Sequence, residues 1–318
     1  MVAINTVTGP IDSGDLGMTF LHEHVCSTSP GFWQVWPELF GGREPFIEQA
    51  SDALRELKAT GGGTFVDVST MDLGRDVRML RDISEKSGMP IVTCTGHWLD
   101  GSRTMQVRTV EEIAEFFLHE INDGLEGTGI KPGIIKVATT DSAALSDFEE
   151  KILRAAARAH RESGLPITTH TGAKMEVGLL HATILEDEGV DPTRVHIGHS
   201  DDSDSFYYLT SLLDRGYWIG FDHLCWELFR KPTFVQRVAT TVELINRGYA
   251  GQLTLSHDYA LAISLFSTAD QVEVFRPMNP DGLQFIFNRF IPALQEAGVT
   301  EETVQQIMVE NPRKYFEG

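Results

Sequence analysis

The sequence predicts an α/β fold, a (β/α)8 TIM barrel built as one domain over residues 1–318. Three observations carry that prediction. Short apolar runs alternate with helix-like segments along the whole chain. Several runs are continuously apolar, such as Gly133-Ile-Ile-Lys-Val-Ala138 and Tyr217-Trp-Ile-Gly-Phe221, which suits parallel strands covered on both faces. Residues able to do chemistry recur at the ends of five runs. In a closed barrel those ends converge on one mouth. In a doubly wound open sheet, the main alternative, strands so far apart in sequence rarely all meet.

The candidate strands are 18–25, 63–69, 90–96, 133–138, 166–170, 195–199, 217–222 and 252–257. Between them, segment 46–59 places Ile47, Ala50, Leu54 and Leu57 on one helical face. Segments 146–163, 175–188, 235–248 and 284–296 read similarly. Gly164 and Gly189 follow two of these, where a helix C-cap favours glycine. No linker, low-complexity tract or short-period repeat marks a domain boundary.

Composition narrows the partners. The formal charge of −20 disfavours nucleic acid and anionic membrane surfaces and repels anionic substrates at long range. A small neutral substrate, or one drawn in by a metal, suits this surface. Cys26, Cys94 and Cys225 are odd in number and form no CxxC pair, so neither a disulfide framework nor a cysteine zinc site is expected. No apolar run is long enough to span a bilayer. The start lacks a basic n-region, so a cytoplasmic location is expected, with export after signal removal left open.

The first run, Met18-Thr-Phe-Leu-His-Glu-His-Val25, carries the strongest signal. Alternate strand residues share a face, so His22 and His24 point together and Glu23 points away. Paired imidazoles suit a metal. An HExxH zincin motif would need histidine at 26, which is Cys26. His170 and His199 end the fifth and sixth runs. His196 is expected on the opposite face from His199 and reads as structural. Gly198-His-Ser200 fails as a GxSxG elbow, because position 202 is Asp202. Asp258 ends the eighth run as a ligand, a general base or a partner for a buried cation; His257 is expected to point the other way. Lys136 sits inside the fourth run, where lysine is uncommon unless paired. It is either salt-bridged to an acid at the barrel mouth or converted by carbon dioxide into a carbamate that bridges two metals.

Together, His22-Glu-His24, Lys136, His170, His199 and Asp258 resemble the phosphotriesterase family of the amidohydrolase superfamily. Supporting stretches include Trp36-Pro-Glu-Leu-Phe40, Val66-Asp-Val-Ser-Thr70, Gly74-Arg-Asp76, Gly127-Thr-Gly129, Ile197-Gly-His-Ser-Asp-Asp202 and Asn279-Pro-Asp-Gly282. The resemblance implies a barrel with two divalent metals. His22, His24 and Asp258 would hold the buried one, and His170 and His199 the exposed one. Carbamylated Lys136 and a hydroxide would bridge them. Zinc is the expected metal, with cobalt, manganese and iron also suited to mixed N/O ligation. Asp258 would accept the proton as hydroxide attacks, and His223 and Asp202 match a family relay pair that carries it outward.

Substrate class lies in the loops. By the same resemblance, Trp98, Leu99, Leu73 and Cys26 stand at pocket-wall positions, and the loop after the eighth run (260–278) adds Ile263 and Phe266. The lactonase-like branch usually has tyrosine where Trp98 stands and arginine where His223 stands, so these two favour organophosphate triesters. Ser256-His-Asp-Tyr259 and the short 224–234 loop point instead to lactones, including acyl-homoserine lactones. Phe32-Trp-Gln-Val-Trp36 with Phe40 reads as local packing or, by family likeness, a homodimer interface.

Overall fold

A computed structural model describes residues 1–99, 101–226, 231–264 and 279–318. A hairpin opens the chain, β1 (Ala3–Thr6) paired antiparallel with β2 (Gly9–Asp12). Eight parallel strands follow: β3 (Met18–Thr28), β4 (Gly62–Asp67), β5 (Ile91–His97), β6 (Ile134–Ala138), β7 (Ile167–His170), β8 (Val195–Ile197), β9 (Trp218–Phe221) and β10 (Leu253–Leu255). Each pairs with the next in sequence, and β11 (Ala260–Ser264) pairs with β3. Past Leu255 the chain rejoins β3: Asp258 N–H donates to His22 O at 3.1 Å, and His22 N–H donates to Ser256 Oγ at 3.1 Å. The sheet therefore closes into the expected barrel.

Helices cover the outside. Arg43–Thr60 buries Ile47, Ala50, Leu54 and Leu57, the face its periodicity predicts. Asp147–Ser163 begins with a reciprocal capping box between Ser146 and Glu149 and ends at Gly164, whose φ is +74°. No helix among the described residues is long and apolar enough to cross a membrane. A smaller apolar cluster, including Val92, Ile134 and Trp218, is joined by Ile4 of the hairpin and by Tyr315 and Phe316 of the last helix. Ile134 lies two residues before Lys136 on the same face of β6, so this cluster floors the barrel beneath the polar mouth.

Several elements differ from expectation. The sixth and eighth strands end at Ile197 and Leu255, so His199 and Asp258 lie just beyond them, at φ +57° and +46°. Residues 260–264 form β11 rather than loop. Segment 284–296 is not one regular helix: a π turn at Ile286–Phe290 precedes the α-helix Ile291–Glu296. Pro292 has no N–H to bond four residues back, which accounts for the widened turn. Trp33 is buried, stacked on Phe40 at 4.4 Å, which is the local-packing reading; Trp36 and Val35 are exposed.

Candidate metal centre

The six predicted ligands converge at the C-terminal mouth. His22 and His24 come from β3, Lys136 from β6 and His170 from the end of β7, with His199 and Asp258 on the turns after β8 and β10. Ligand atoms of His22, His199 and Asp258 lie within 4.8 Å of one another, close enough to hold one metal ion. Asp258 Oδ1 is 3.1 Å from His24 Nε2. His199 Nε2 is 2.6 Å from His170 Nδ1, and Lys136 Nζ donates to His22 Nε2 at 2.6 Å. Gly198 permits this crowding: a Cβ there would collide with Thr169 O and press on the His22 ring.

The surrounding bonds direct nitrogen lone pairs inward. Ser69 Oγ donates to Cys26 O at 3.1 Å, so it accepts from His24 Nδ1 at 2.8 Å. That leaves His24 Nε2 bare, facing the Asp258 carboxylate. His199 Nδ1 donates to Asp222 Oδ1 at 2.7 Å, while His22 Nδ1 faces Asp222 Oδ2 at 3.1 Å. Carboxylates and hydroxyls tied to the rear nitrogen of a histidine set its tautomer and raise its strength as a ligand. Acceptors that face each other across such a gap fit a cation between them.

Electrostatics agree. Burial, then repulsion from Lys136 and His199, holds His22 far below the usual imidazole range, and burial chiefly does the same for His170 and His199. Neutral imidazoles are the form that binds metal. Burial opposes the Asp258 carboxylate, yet its hydrogen bond with His223 and the neighbouring His24 and His22 rings overcome it and hold the group well below its ordinary value. Burial lowers the Lys136 ammonium to about 8 despite attraction from Asp258 and Asp222. Among the described residues no carboxylate pairs with Lys136 within 4.0 Å, so the salt-bridge reading of that lysine finds no support there.

The two residues expected to relay a proton lie in line with Asp258. His223 Nε2 is 2.8 Å from Asp258 Oδ2, and its Nδ1 is 2.9 Å from Asp202 Oδ2. Burial works against a charged His223, but Asp202 and Asp258 outweigh it and raise its pKa to about 10. Its ring stacks on His199 at 3.8 Å.

Three supporting residues were not foreseen. Asp222 faces two ligands at once; the available signal was a carboxylate at the end of a buried strand, the same one that marked Asp258. Arg237, fully buried, pairs with Asp201 and with Asp202 (2.8 Å), behind the relay. Glu23, fully buried between the two histidines, bonds the turn after β10. Asp222→Asn is expected to weaken divalent-metal binding about 10–100-fold, read by equilibrium dialysis and metal analysis; binding within twofold of the parent would overturn this role.

The expected pocket residues are less uniform. The Trp98 ring meets His170 edge-on, 5.9 Å between centroids. Its backbone N–H is held by Asp72 at 2.9 Å, and half-buried Leu99 follows it. Leu73 is buried in the short turn Met71–Leu73. Cys26 is buried and its Sγ accepts from Trp33 Nε1 at 2.7 Å. Ile263 is buried in β11 opposite Ser27. Phe266 lies outside the described residues. His257 turns away from the centre, as expected. His196 does not take the opposite face: its ring abuts Gly220 inside the barrel and bonds Thr168 and Thr254. The two-residue alternation fails there because His199 is left-handed and lies past the strand. His196 is structural in its contacts all the same.

Comparison with known proteins supplies the family. The model for the "Phosphotriesterase family" matches residues 2–316. The chain is 36% identical to an aryldialkylphosphatase of Saccharolobus solfataricus over 309 residues, covering 96% of each protein. It is 36% identical to a phosphotriesterase homology protein of Mycobacterium tuberculosis over 328 residues, covering 100% of this chain and 98% of the relative. It is 26% identical to the N-acetyltaurine hydrolase of Xenopus tropicalis over 352 residues, covering 98% and 97%.

Proposed function

Because this chain belongs to the phosphotriesterase family, we propose that it is a binuclear metal hydrolase whose leading substrates are neutral organophosphate triesters. The observation that carries the hydrolytic reading is the unbroken chain from the ligand cluster through Asp258 and His223 to Asp202, at 2.8 and 2.9 Å. His22, His24, Lys136, His170, His199 and Asp258 would hold the metals, with zinc the first choice. Two divalent ions supply Lewis-acid polarisation of the P=O or C=O oxygen and acidify a water toward a pKa of about 7.

The chain's own residues do the rest. Asp258 takes the proton of the attacking water at Oδ2. The proton then passes to Nε2 of a neutral His223 whose Nδ1–H donates to Asp202, and the imidazolium so formed is held between the two carboxylates, whose attraction favours that charge. Arg237 holds Asp202 in place. Lys136 is buried and its pKa is lowered to about 8, which supports carbamylation. Its neutral amine forms an N–C bond to carbon dioxide, one C=O electron pair moves to oxygen, and the nitrogen loses a proton. The resulting anionic carboxylate can ligate, as an ammonium cannot.

Trp98, edge-on to His170, and His223, bonded on both sides, support triesters over lactones. Ser256-His-Asp-Tyr259 favours lactonase activity as the second reading, with phosphotriester cleavage then secondary. The deciding experiment is the ratio of kcat/KM for an aryl phosphotriester to that for an acyl-homoserine lactone, on zinc- or cobalt-loaded protein with bicarbonate. A ratio well above one supports the proposal, and one well below it gives the lactonase. Faster cleavage of an N-acetyl amide than of either would overturn both. Trp98→Tyr and His223→Arg are each expected to move the ratio toward lactones; an unchanged ratio in both removes the argument from these positions.

A further inference from the structure

The glutamate between the two β3 histidines is fully buried and takes no part in the steps above. Its carboxylate faces away from the metal centre and meets the turn after β10. Oε1 accepts from His257 N–H at 2.7 Å and from His257 Nδ1 at 2.7 Å. Oε2 accepts from Tyr259 N–H at 3.3 Å. These amides flank Asp258, whose own N–H donates to His22 O at 3.1 Å. On the carbonyl side, Trp226 Nε1 sits 3.2 Å from both His257 O and Asp258 O.

Asp258 needs this restraint. Its φ of +46° lies in the left-handed region that L-residues seldom occupy. Such a conformation persists only where its surroundings over-determine it. The sheet cannot supply that alone, because β10 ends at Leu255 and β11 begins at Ala260. In the interval between them, a side chain takes the amides on either side of Asp258.

We propose that Glu23 is a positioning residue for Asp258, clamping the amides on both sides of it so that its carboxylate reaches His24 and His223 together. One tripeptide, His22-Glu-His24, then contributes two ligands and the clasp for a third. The inference rests on the metal-hydrolase reading, and the test keeps the two apart.

Two variants grade the clamp. Glu23→Gln keeps an oxygen for His257 but turns an NH2 toward the Tyr259 amide. Glu23→Asp keeps the charge and withdraws the carboxylate by one methylene. His257→Phe serves as a comparison: it removes the ring donor, leaves both backbone bonds possible, and keeps a ring against Phe20, 5.2 Å away. Zinc affinity is read by competition with a chromophoric chelator, and kcat and KM are taken separately on the zinc-loaded proteins. The expected result is zinc binding weakened by about 10–100-fold in the Glu23 variants, with kcat reduced more than KM is raised. His257→Phe should stay within a few-fold of the parent. Folded Glu23 variants with parental zinc affinity and kcat would overturn the proposal and leave Glu23 as a seam between strands. A parent that binds no zinc would instead overturn the metal-hydrolase reading. Should both variants fail to fold, hydrogen exchange on the parent decides: the clamp requires the His257 and Tyr259 amides to be as protected as those of β10. Exchange at exposed-loop rates would overturn it.

Discussion

Asp258→Asn is expected to lower kcat by about 10³-fold, the middle of the range for loss of a general acid–base group, with KM changed much less. Asparagine nearly preserves the shape and keeps one oxygen for ligation, so the substitution separates holding a metal from accepting a proton. The carboxylate spans two partners, His24 at 3.1 Å and His223 at 2.8 Å. An amide cannot take the proton that His223 must receive. Metal analysis on the same sample is essential: the proton role requires a large fall in kcat in protein that still carries both metals. A variant retaining both metals and more than a tenth of parental kcat would refute it. Loss of metal in parallel with kcat would show that ligation is the dominant task of Asp258.

Lys136→Met should be comparably severe, through loss of metal rather than loss of a proton acceptor. The lysine is 1% exposed, lies against His22 Nε2, and is drawn down to about 8 by burial. About half of such an amine is neutral at pH 8, so carbamylation can proceed under mild conditions. Methionine matches its length and supplies no anionic oxygen. The expected result is a loss of at least one metal per chain and a fall in kcat/KM of about 10³-fold, on the scale of removing a metal's contribution to charge stabilisation. The parent, loaded with metal after removal of carbon dioxide, should gain activity on addition of bicarbonate, and the variant should not. Labelling with ¹³C-bicarbonate should give a carbamate carbonyl signal in the parent alone. Bicarbonate-independent loading together with no such signal would overturn the modification and return Lys136 to a simple amine beside His22.

Much of the centre could be read locally. His22 and His24 share a strand face by alternation, and His170 closes a short strand. His199 and Asp258 each stand two or three residues beyond an apolar run, near enough to its end for the signal to survive. The support was not legible in the same way. Glu23 and His257 are 234 residues apart in the chain, and Arg237 reaches its acids across 35 and 36 residues. Nothing in an amphipathic helix distinguishes a buried arginine from an exposed one. The widened turn before Pro292 was signalled by proline chemistry, yet strong helical periodicity across 284–296 masked it.

The sequence by itself determined the barrel and the convergence of six candidate ligands, because both follow from short-range rules: apolar runs of strand length, two-residue alternation, and parallel strands whose ends must meet. Only the tertiary structure decided how those ligands are oriented. Asp222 bonds the His199 ring and faces the His22 ring, Asp258 bends into a left-handed turn to span His24 and His223, and Glu23 holds the amides on either side of it. Those outcomes depend on which buried donors and acceptors are brought within hydrogen-bond reach once the ring has closed. A buried polar group must be satisfied wherever its partner lies in the chain, and no local pattern records that partner.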